Sequence, residues 1–246
     1  MKKTTLTMLC IGACTSLQAA TISINMTDGG PGGGVAVAGN TAGAELAGYW
    51  NTLGRDGTGK SGTDIANLLD DTGASSGVGI TQSAAQGGWY SSASGFSGTI
   101  GNNFMTNFAD ASGAYNYTFT GLNAGVGAVY DVIIYSARGF SNTGVTKFDV
   151  NGETLYLTNE SMVGDYTESG WATQGEAENN LSSGNYVRFR NVSLDTLVVG
   201  IEGLDDATNG GTLAAVNGIQ IVAVPEPSSV ALLGLGGIAL VLRRRR

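Results

Sequence analysis

Four aromatic side chains lie in polar or glycine-rich stretches of the chain, where they could stack against the faces of sugar rings. Trp89 and Tyr90 are predicted to lie in a Gly/Ser-rich loop, and Tyr166 and Trp171 in a second, polar loop. Arg138 follows a strongly apolar run and offers a fork of N–H donors that suits hydroxyl groups. Flat aromatic faces beside such donors are typical of carbohydrate sites. The same residues could instead anchor loops or fill the core, and both interpretations stand at this point.

Two groups of oxygen-bearing side chains have the composition of a calcium site. Carboxylate and amide oxygens, together with loop carbonyls, are the ligands that Ca²⁺ prefers. Neither group has EF-hand spacing, so solvated acidic loops are the alternative interpretation. A structural Ca²⁺ is the one cofactor that the sequence suggests. The first group is Glu202, Asp205, Asp206 and Asn209, and the second is Glu176, Glu178, Asn179 and Asn180.

Most catalytic chemistry is excluded by composition. The chain has no histidine and no cysteine beyond residue 14, which removes Ser-His-Asp and Cys-His catalysis and the usual zinc sites. A glycosidase needs only two carboxylates. The tightest pairs are Asp70-Asp71 and Asp205-Asp206, but adjacent residues of a strand point to opposite faces, so neither is a natural acid/base pair. We expect no enzymatic activity, and an exported glycoside hydrolase is kept as an alternative.

The segment of residues 21–222 is strongly acidic. It contains six basic and nineteen acidic residues, a net charge of −13. Such a charge repels phosphate backbones and anionic headgroups, so nucleic acid and anionic lipid surfaces are excluded as partners. Neutral glycans, cations and other proteins remain.

Short segments with period-two alternation indicate an all-β domain. The Asn151-Gly152 pair predicts a two-residue hairpin turn, and residues 65–71 are compatible with a short helix or with a strand that ends in a turn. About ten short strands without a convincing amphipathic helix predict a β-sandwich or jelly roll. The clearest predicted strands are residues 21–26, 77–82, 115–120, 129–136, 145–150, 186–190, 197–201 and 218–222.

The first twenty residues have the layout of a secretory signal peptide. Lys2 and Lys3 precede an apolar run, and small residues suitable for cleavage end at Ala19 or Ala20. Cleavage after either alanine fits the pattern. Both cysteines lie within this segment, so the exported domain should have no disulfide. An uncleaved anchor and a lipoprotein attached through Cys14 are the alternatives.

The last 24 residues combine a Pro-Glu-Pro tripeptide, an apolar run and an arginine cluster. Residues 230–242 carry no charge, which predicts a C-terminal hydrophobic helix, although a bilayer core calls for about twenty apolar residues. Cationic residues after such a run hold it in the membrane by the positive-inside rule. The sorting and processing residues are Pro225, Glu226, Pro227, Arg243, Arg244, Arg245 and Arg246.

This order of parts resembles the PEP-CTERM sorting signal of exported bacterial proteins. The resemblance implies processing near the Pro-Glu-Pro by an exosortase, a membrane cysteine protease. It also implies membrane attachment through the C-terminal helix before processing. The family is tied to organisms that make extracellular polysaccharide, which points weakly to a polysaccharide partner.

The body of the chain resembles galactose-binding-like jelly rolls, a fold that many carbohydrate-binding modules share. The resemblance rests on residues 122–125, 130–138, 150–152 and 215–221. The Trp50-Asn51 pair and residues 69–73 are similar to other exported proteins with the same tail, and this context places Trp50 in the core.

These observations divide the chain into a signal peptide (1–20), a β-sandwich domain (21–222) and a sorting signal (223–246). We expect an exported, exosortase-processed protein of the cell envelope or the extracellular matrix. Its expected role is non-catalytic, either binding or structural, with extracellular polysaccharide as the candidate ligand. The alternatives are the carboxylate-dependent hydrolase and a self-assembling surface or adhesion protein.

Overall fold

The computed structural model describes residues 21–27, 42–54, 64–83, 87–90, 107–122, 129–137, 144–158, 166–180, 184–193, 195–204 and 213–224. The predicted signal peptide and the tail from Pro225 onward lie outside these described residues. Arg138, Asp205, Asp206 and Asn209 also lie outside them.

Within the described ranges the chain forms thirteen strands and one short helix. The elements are β1 (Thr21–Thr27), β2 (Asn51–Gly54), β3 (Gly79–Gln82), β4 (Gly87–Tyr90), β5 (Asn107–Ser112), β6 (Ala114–Thr120), β7 (Val129–Tyr135), β8 (Val145–Val150), β9 (Glu153–Thr158), α1 (Gln174–Asn179), β10 (Tyr186–Val192), β11 (Thr196–Leu204), β12 (Leu213–Val216) and β13 (Gly218–Val224).

The strands form two five-stranded sheets and a small third one. Sheet I has the order β10-β7-β13-β1-β2, sheet II has the order β3-β6-β11-β8-β9, and the third has the order β12-β5-β4. Strand β2 pairs with β1 in parallel, whereas all other pairs between these strands are antiparallel. The predicted all-β sandwich is confirmed.

One apolar core lies between sheets I and II. Alternate residues of the central strands point into it, because successive side chains of a strand face opposite sides. Burying each large aliphatic or aromatic side chain contributes about 1.5–3 kcal/mol. The fully buried residues of this core include Ile24, Val132 and Ile134 from sheet I and Phe119, Phe148 and Val199 from sheet II.

The hairpin between β8 and β9 has the predicted turn. Asn151 and Gly152 have φ values of 55° and 88°, the left-handed region that a type I′ turn requires at both positions. Val150 consequently pairs with Glu153, and the register of the whole hairpin follows from this pair. Residues 65–71 form neither of the two predicted elements, a short helix or a strand: Ile65 and Leu69 make isolated β-bridges, and a turn comes after them.

A short helix occupies part of one acidic stretch that the sequence suggested was a loop. Thr173 caps α1 by accepting a hydrogen bond from the backbone N–H of Glu176, and the Glu176 side chain accepts one from the Thr173 N–H in return. This reciprocal capping box stabilises a helix too short to persist alone. Glu176, Glu178 and Asn179 are therefore helical residues, and Asn180 is its C-cap.

Residues 166–171, termed the strap, join the edge strands of the two sheets. The Ser169 N–H donates to the Tyr186 carbonyl on β10 at 2.9 Å, and Tyr156 on β9 exchanges two backbone hydrogen bonds with Trp171 at 2.9 and 3.0 Å. Gly184 lies directly under the strap, where a Cβ atom would come within 2.5 Å of the Ser169 Cβ and 2.6 Å of the Thr167 carbonyl oxygen. The strap thus closes one side of the sandwich and fixes the position of Trp171.

Candidate functional site

A row of four side chains crosses the solvent side of sheet II. Strand register places Glu202 beside Lys147 and Lys147 beside Tyr156, and the strap adds Trp171 beside Tyr156. Residues directly opposite each other in antiparallel pairs project to the same face with Cβ atoms about 5 Å apart. Tyr156 and Trp171 are both half-buried. We refer to these four residues as the Trp171 row.

Lys147 and Glu202 form an ion pair at the far end of this row. The Lys147 Nζ donates to the Glu202 Oε2 at 3.0 Å, with the two side chains 34% and 40% exposed. This hydrogen bond, with the negative charge of Glu202, raises the pKa of Lys147 above its ordinary value. The pair presents a donor and an acceptor to solvent while contributing little to stability, as exposed ion pairs do.

A second, more polar row runs beside the first. Asn116, Gly200, Asp149 and Thr154 are neighbours across four strands, and they lie on the same face as the Trp171 row. The Asn116 and Asp149 side chains pack closely over Gly200, because a Cβ atom there would lie only 3.3 Å from the Asn116 Oδ1 and 3.4 Å from the Asp149 Cβ. Asp149 is oriented by the Gly152 N–H and the Thr154 hydroxyl, which donate to its carboxylate at 3.1 Å each.

This outer face is open on one side and bounded on the other. Val198, the next outward residue of β11 beyond Gly200, is 37% exposed. At the other end of this face, Val145 and Thr158 also point away from the core, but they are buried. The helix α1 packs beside β8 and β9. The result is a shallow polar surface with two half-buried aromatic rings along one border.

The outer face of sheet I, in contrast, is covered by protein. Residues 42–50 lie over it, and Tyr135 packs there against Trp50, Tyr166 and Tyr186 with ring centroids 6.2, 5.5 and 5.6 Å away. Burial raises the pKa of Tyr166 to about 12, although a hydrogen bond from the Gly43 backbone acts in the opposite direction. Trp50 is 4% exposed, as expected for a core residue.

Polar contacts hold this covering segment in place. The Tyr135 hydroxyl donates to the Gln220 Oε1 and accepts from the Ala44 N–H at 2.7 Å, while the Gln220 Nε2 donates to the Glu45 carbonyl at 2.8 Å. Arg188, only 15% exposed, lies against three carboxylates from three elements. These are Glu45 at 2.6 Å, Asp131 at 3.4 Å and Glu168 at 3.8 Å.

The four aromatic residues that the sequence suggested as sugar-binding groups do not lie together on one surface. Trp171 lies on the outer face of sheet II, whereas Tyr166 lies in the packed cluster on sheet I. The prediction that Trp89 and Tyr90 lie in a loop is wrong, because they belong to β4 and pair with Phe108 and Asn107. Glycines 87 and 88 suggested a loop, but pairing with β5 overrides that local preference.

The first of the two predicted calcium groups, which contains Glu202, is only partly described by the structure. Glu202 lies within β11 instead of a loop and is paired with Lys147, and the other three members lie outside the described residues. Across the described part of the chain, no three acidic, histidine or cysteine residues come together as metal ligands would.

Asp70 and Asp71, the adjacent aspartate pair that lies in the described part of the chain, each have a separate structural role. Asp70 accepts hydrogen bonds from the Thr72 N–H, the Thr72 hydroxyl and the Ala74 N–H within its own turn. Burial alone would raise the pKa of Asp70, but these bonds outweigh it and hold the pKa below its ordinary value. Asp71 instead accepts from the Thr21 N–H at 3.4 Å.

Sequence reasoning missed Tyr156, Lys147, Asn116 and Asp149 as members of one surface. A usable signal was present, because the Asn151-Gly152 turn fixes the pairing of β8 with β9. Counting outward from that turn places Lys147 opposite Tyr156.

The tail matches a known targeting motif. The family model of the PEP-CTERM protein-sorting motif matches residues 223–246, which confirms the predicted sorting signal. The motif implies export, processing by an exosortase and a location in the cell envelope or outside the cell. Among the described residues, which exclude this tail beyond Val224, no helix is long and apolar enough to cross a membrane.

Similarity to other proteins is structural and distant. No curated protein matches the chain. The ANX1 ectodomain from Arabidopsis thaliana aligns with 84% of this chain at a TM-score of 0.43 and 9% identity, and the alignment spans 42% of that protein. The CBM35 from Cellvibrio japonicus Abf62 aligns with 58% of this chain at a TM-score of 0.29 and 14% identity, over 92% of its own length. At these scores neither likeness bears on function.

Proposed function

We propose that the exported domain is a non-catalytic module that binds neutral extracellular polysaccharide through the outer face of sheet II. The Trp171 row carries the proposal. It sets two half-buried aromatic rings next to a lysine–glutamate pair whose side chains are 34% and 40% exposed. Aromatic faces stack on the C–H faces of sugars, and charged or amide groups at their side bind the hydroxyls.

The charge of the surface favours a neutral ligand. Lys147 is the only cation among the eight residues of the two rows, and Glu202 and Asp149 are both acidic. The domain as a whole carries a net charge of −13. An anionic polymer would be repelled at long range, whereas a neutral one meets only local donors and acceptors.

The described carboxylates support binding without turnover. The carboxylates of Asp70, Asp149 and Glu176 accept hydrogen bonds from their own turns or caps. The carboxylates around Arg188 are bound to that guanidinium. A glycosidase requires one carboxyl group that stays protonated and a second that is free to attack or to activate water, and engaged carboxylates suit neither role.

Affinity electrophoresis tests this proposal. Every described strand lies between Thr21 and Val224, so residues 21–224 carry the whole sandwich. This protein should be retarded in gels that contain a neutral polysaccharide purified from the producing organism. Trp171→Ala and Tyr156→Ala should each weaken retardation by about two- to tenfold, because an aromatic contact contributes roughly 0.5–1.5 kcal/mol beyond the area it buries.

Tyr49→Ala is the matched control. Tyr49 is a half-buried tyrosine on the segment that covers sheet I, and its ring lies against Gly73. This variant should migrate like the unmodified protein. Equal retardation of all four proteins would rule out the outer face of sheet II, and turnover of the polymer into smaller sugars would favour the hydrolase alternative.

A further inference from the structure

The backbone nitrogen of Thr21 occupies an unusual position for the first residue after a predicted leader. Thr21 is 7% exposed and is the first residue of β1. Its N–H points at the Asp71 Oδ1, 3.4 Å away. It also pairs with Val222 on β13, three residues before the Pro-Glu-Pro begins.

Asp71 is held at this position by contacts that do not involve Thr21. The Asn51 side chain donates to the Leu69 carbonyl at 2.7 Å and accepts from the Leu69 N–H at 2.9 Å, which fixes the chain just before the turn. Gly48 lies against the far side of the turn, since a Cβ there would be 3.3 Å from the Asp71 carbonyl oxygen. The backbone that carries the Asp71 side chain is therefore held in place independently of Thr21.

Thr21 is the only group that hydrogen-bonds to the Asp71 carboxylate among the described residues. An amide N–H at 3.4 Å is a weak donor for a half-buried carboxylate. An α-ammonium group at the same atom would bring a full positive charge and three donors that can turn toward the oxygen. Charge-assisted hydrogen bonds of this kind are shorter and about twice as strong as neutral ones.

We propose that export cleaves the Ala20–Thr21 peptide bond and that the new α-ammonium group of Thr21 forms an ion pair with Asp71. A leader peptidase hydrolyses the bond: water supplies the hydroxyl to the carbonyl carbon of Ala20 and a proton to the nitrogen of Thr21. The amine takes a further proton from solvent at neutral pH. The proposal rests on the leader predicted for residues 1–20, and it selects Ala20 over Ala19 because the backbone nitrogen that faces Asp71 belongs to Thr21.

Among the described residues, few other charges face this corner of the fold. Asp70 is nearby, but its carboxylate is engaged by Thr72 and Ala74. Tyr49 packs on Gly73 of the same turn. Val222, Ala223 and Val224 of the neighbouring strand are uncharged. Titration of the α-amino group should thus be controlled mainly by Asp71.

The test uses the full chain, expressed with its own leader in a host that exports it. N-terminal sequencing of the exported protein should begin at Thr21. Competitive labelling with an amine-reactive reagent from pH 6 to 10 should give an α-amino pKa above its ordinary value of about 7.7. Asp71→Asn should return that pKa to the ordinary value, whereas Glu153→Gln, which alters an exposed carboxylate of β9, should not change it.

Stability gives a second measure of the same ion pair. A folded-state pKa raised above the unfolded one adds stability that is complete below pH ~7.7 and is lost as the pH rises through the folded value. Asp71→Asn should therefore lower Tm by about 3 °C at pH 6, and the difference should disappear by pH 10. An N-terminus other than Thr21 would overturn the cleavage site, and an identical α-amino pKa in both proteins would overturn the ion pair.

Discussion

Replacing Gly184 by alanine should dislodge the strap that carries Trp171. The added Cβ would lie 2.5 Å from the Ser169 Cβ and 2.6 Å from the Thr167 carbonyl oxygen, closer than real carbon contacts allow. Both obstructing atoms belong to the backbone or to a short side chain, so the strap itself must move. Its movement would break the hydrogen bonds from the Ser169 N–H to Tyr186 and from the Asn185 N–H to Thr167, each 2.9 Å long.

The expected loss of stability combines the cost of overpacking with the loss of these two hydrogen bonds. Overpacking of this kind costs about 1–3 kcal/mol, and each backbone hydrogen bond contributes about 1 kcal/mol net. A total of about 3–5 kcal/mol corresponds to a fall in Tm of roughly 6–20 °C for a domain of this size. Urea unfolding followed by circular dichroism would measure it directly. Polysaccharide binding should weaken as well, because Trp171 depends on the strap for its position.

Gly175→Ala is the matched control for this substitution. Nothing lies within 4 Å of a Cβ atom at Gly175, which is exposed in the first turn of α1. Alanine is the better helix former, so this variant should be unchanged or more stable by up to about 1 kcal/mol. Equal stability of Gly184→Ala and Gly175→Ala would refute the description of the strap as seated on β10.

Two further predictions concern buried polar groups. Arg188→Ala should cost about 3 kcal/mol in urea unfolding, because it leaves Glu45 and Asp131 without the cation that pairs with them. Arg190→Ala, at a side chain 54% exposed, should cost less than about 1 kcal/mol. Asn25→Val should stabilise the protein by about 1 kcal/mol in thermal unfolding, because both polar atoms of its fully buried amide lack hydrogen-bond partners among the described residues. Asn51→Val should instead destabilise it by about 2–3 kcal/mol, since the Asn51 amide makes three hydrogen bonds.

The strands that sequence patterns predicted best are those with strict alternation or continuous burial. Residues 129–135 and 218–224 became neighbouring central strands of sheet I, because their apolar runs could only be buried between two layers. The short strands β2, β4 and β12 escaped prediction. Each is four residues long, and a segment of that length owes its conformation to a pairing partner more than to its own sequence.

The candidate site was predictable only in part. Trp171 was identified because an aromatic residue in a polar stretch is conspicuous. Its neighbours Tyr156 and Lys147 become neighbours only through strand pairing, which is a long-range contact that no local pattern records. The burial of Tyr166 likewise depends on its contact with Tyr135, thirty-one residues away in sequence. This burial raises the pKa of Tyr166.

The most direct test of binding through the outer face of sheet II is a titration of the tryptophan indole N–H signals by NMR. The chain has three tryptophans, at positions 50, 89 and 171, and substitution of each by phenylalanine assigns its signal. Oligosaccharides from a neutral polysaccharide of the producing organism should shift the Trp171 signal in a saturable manner and leave that of the buried Trp50 unchanged. A shift confined to Trp89, or no shift in any of the three, would contradict the proposed binding face.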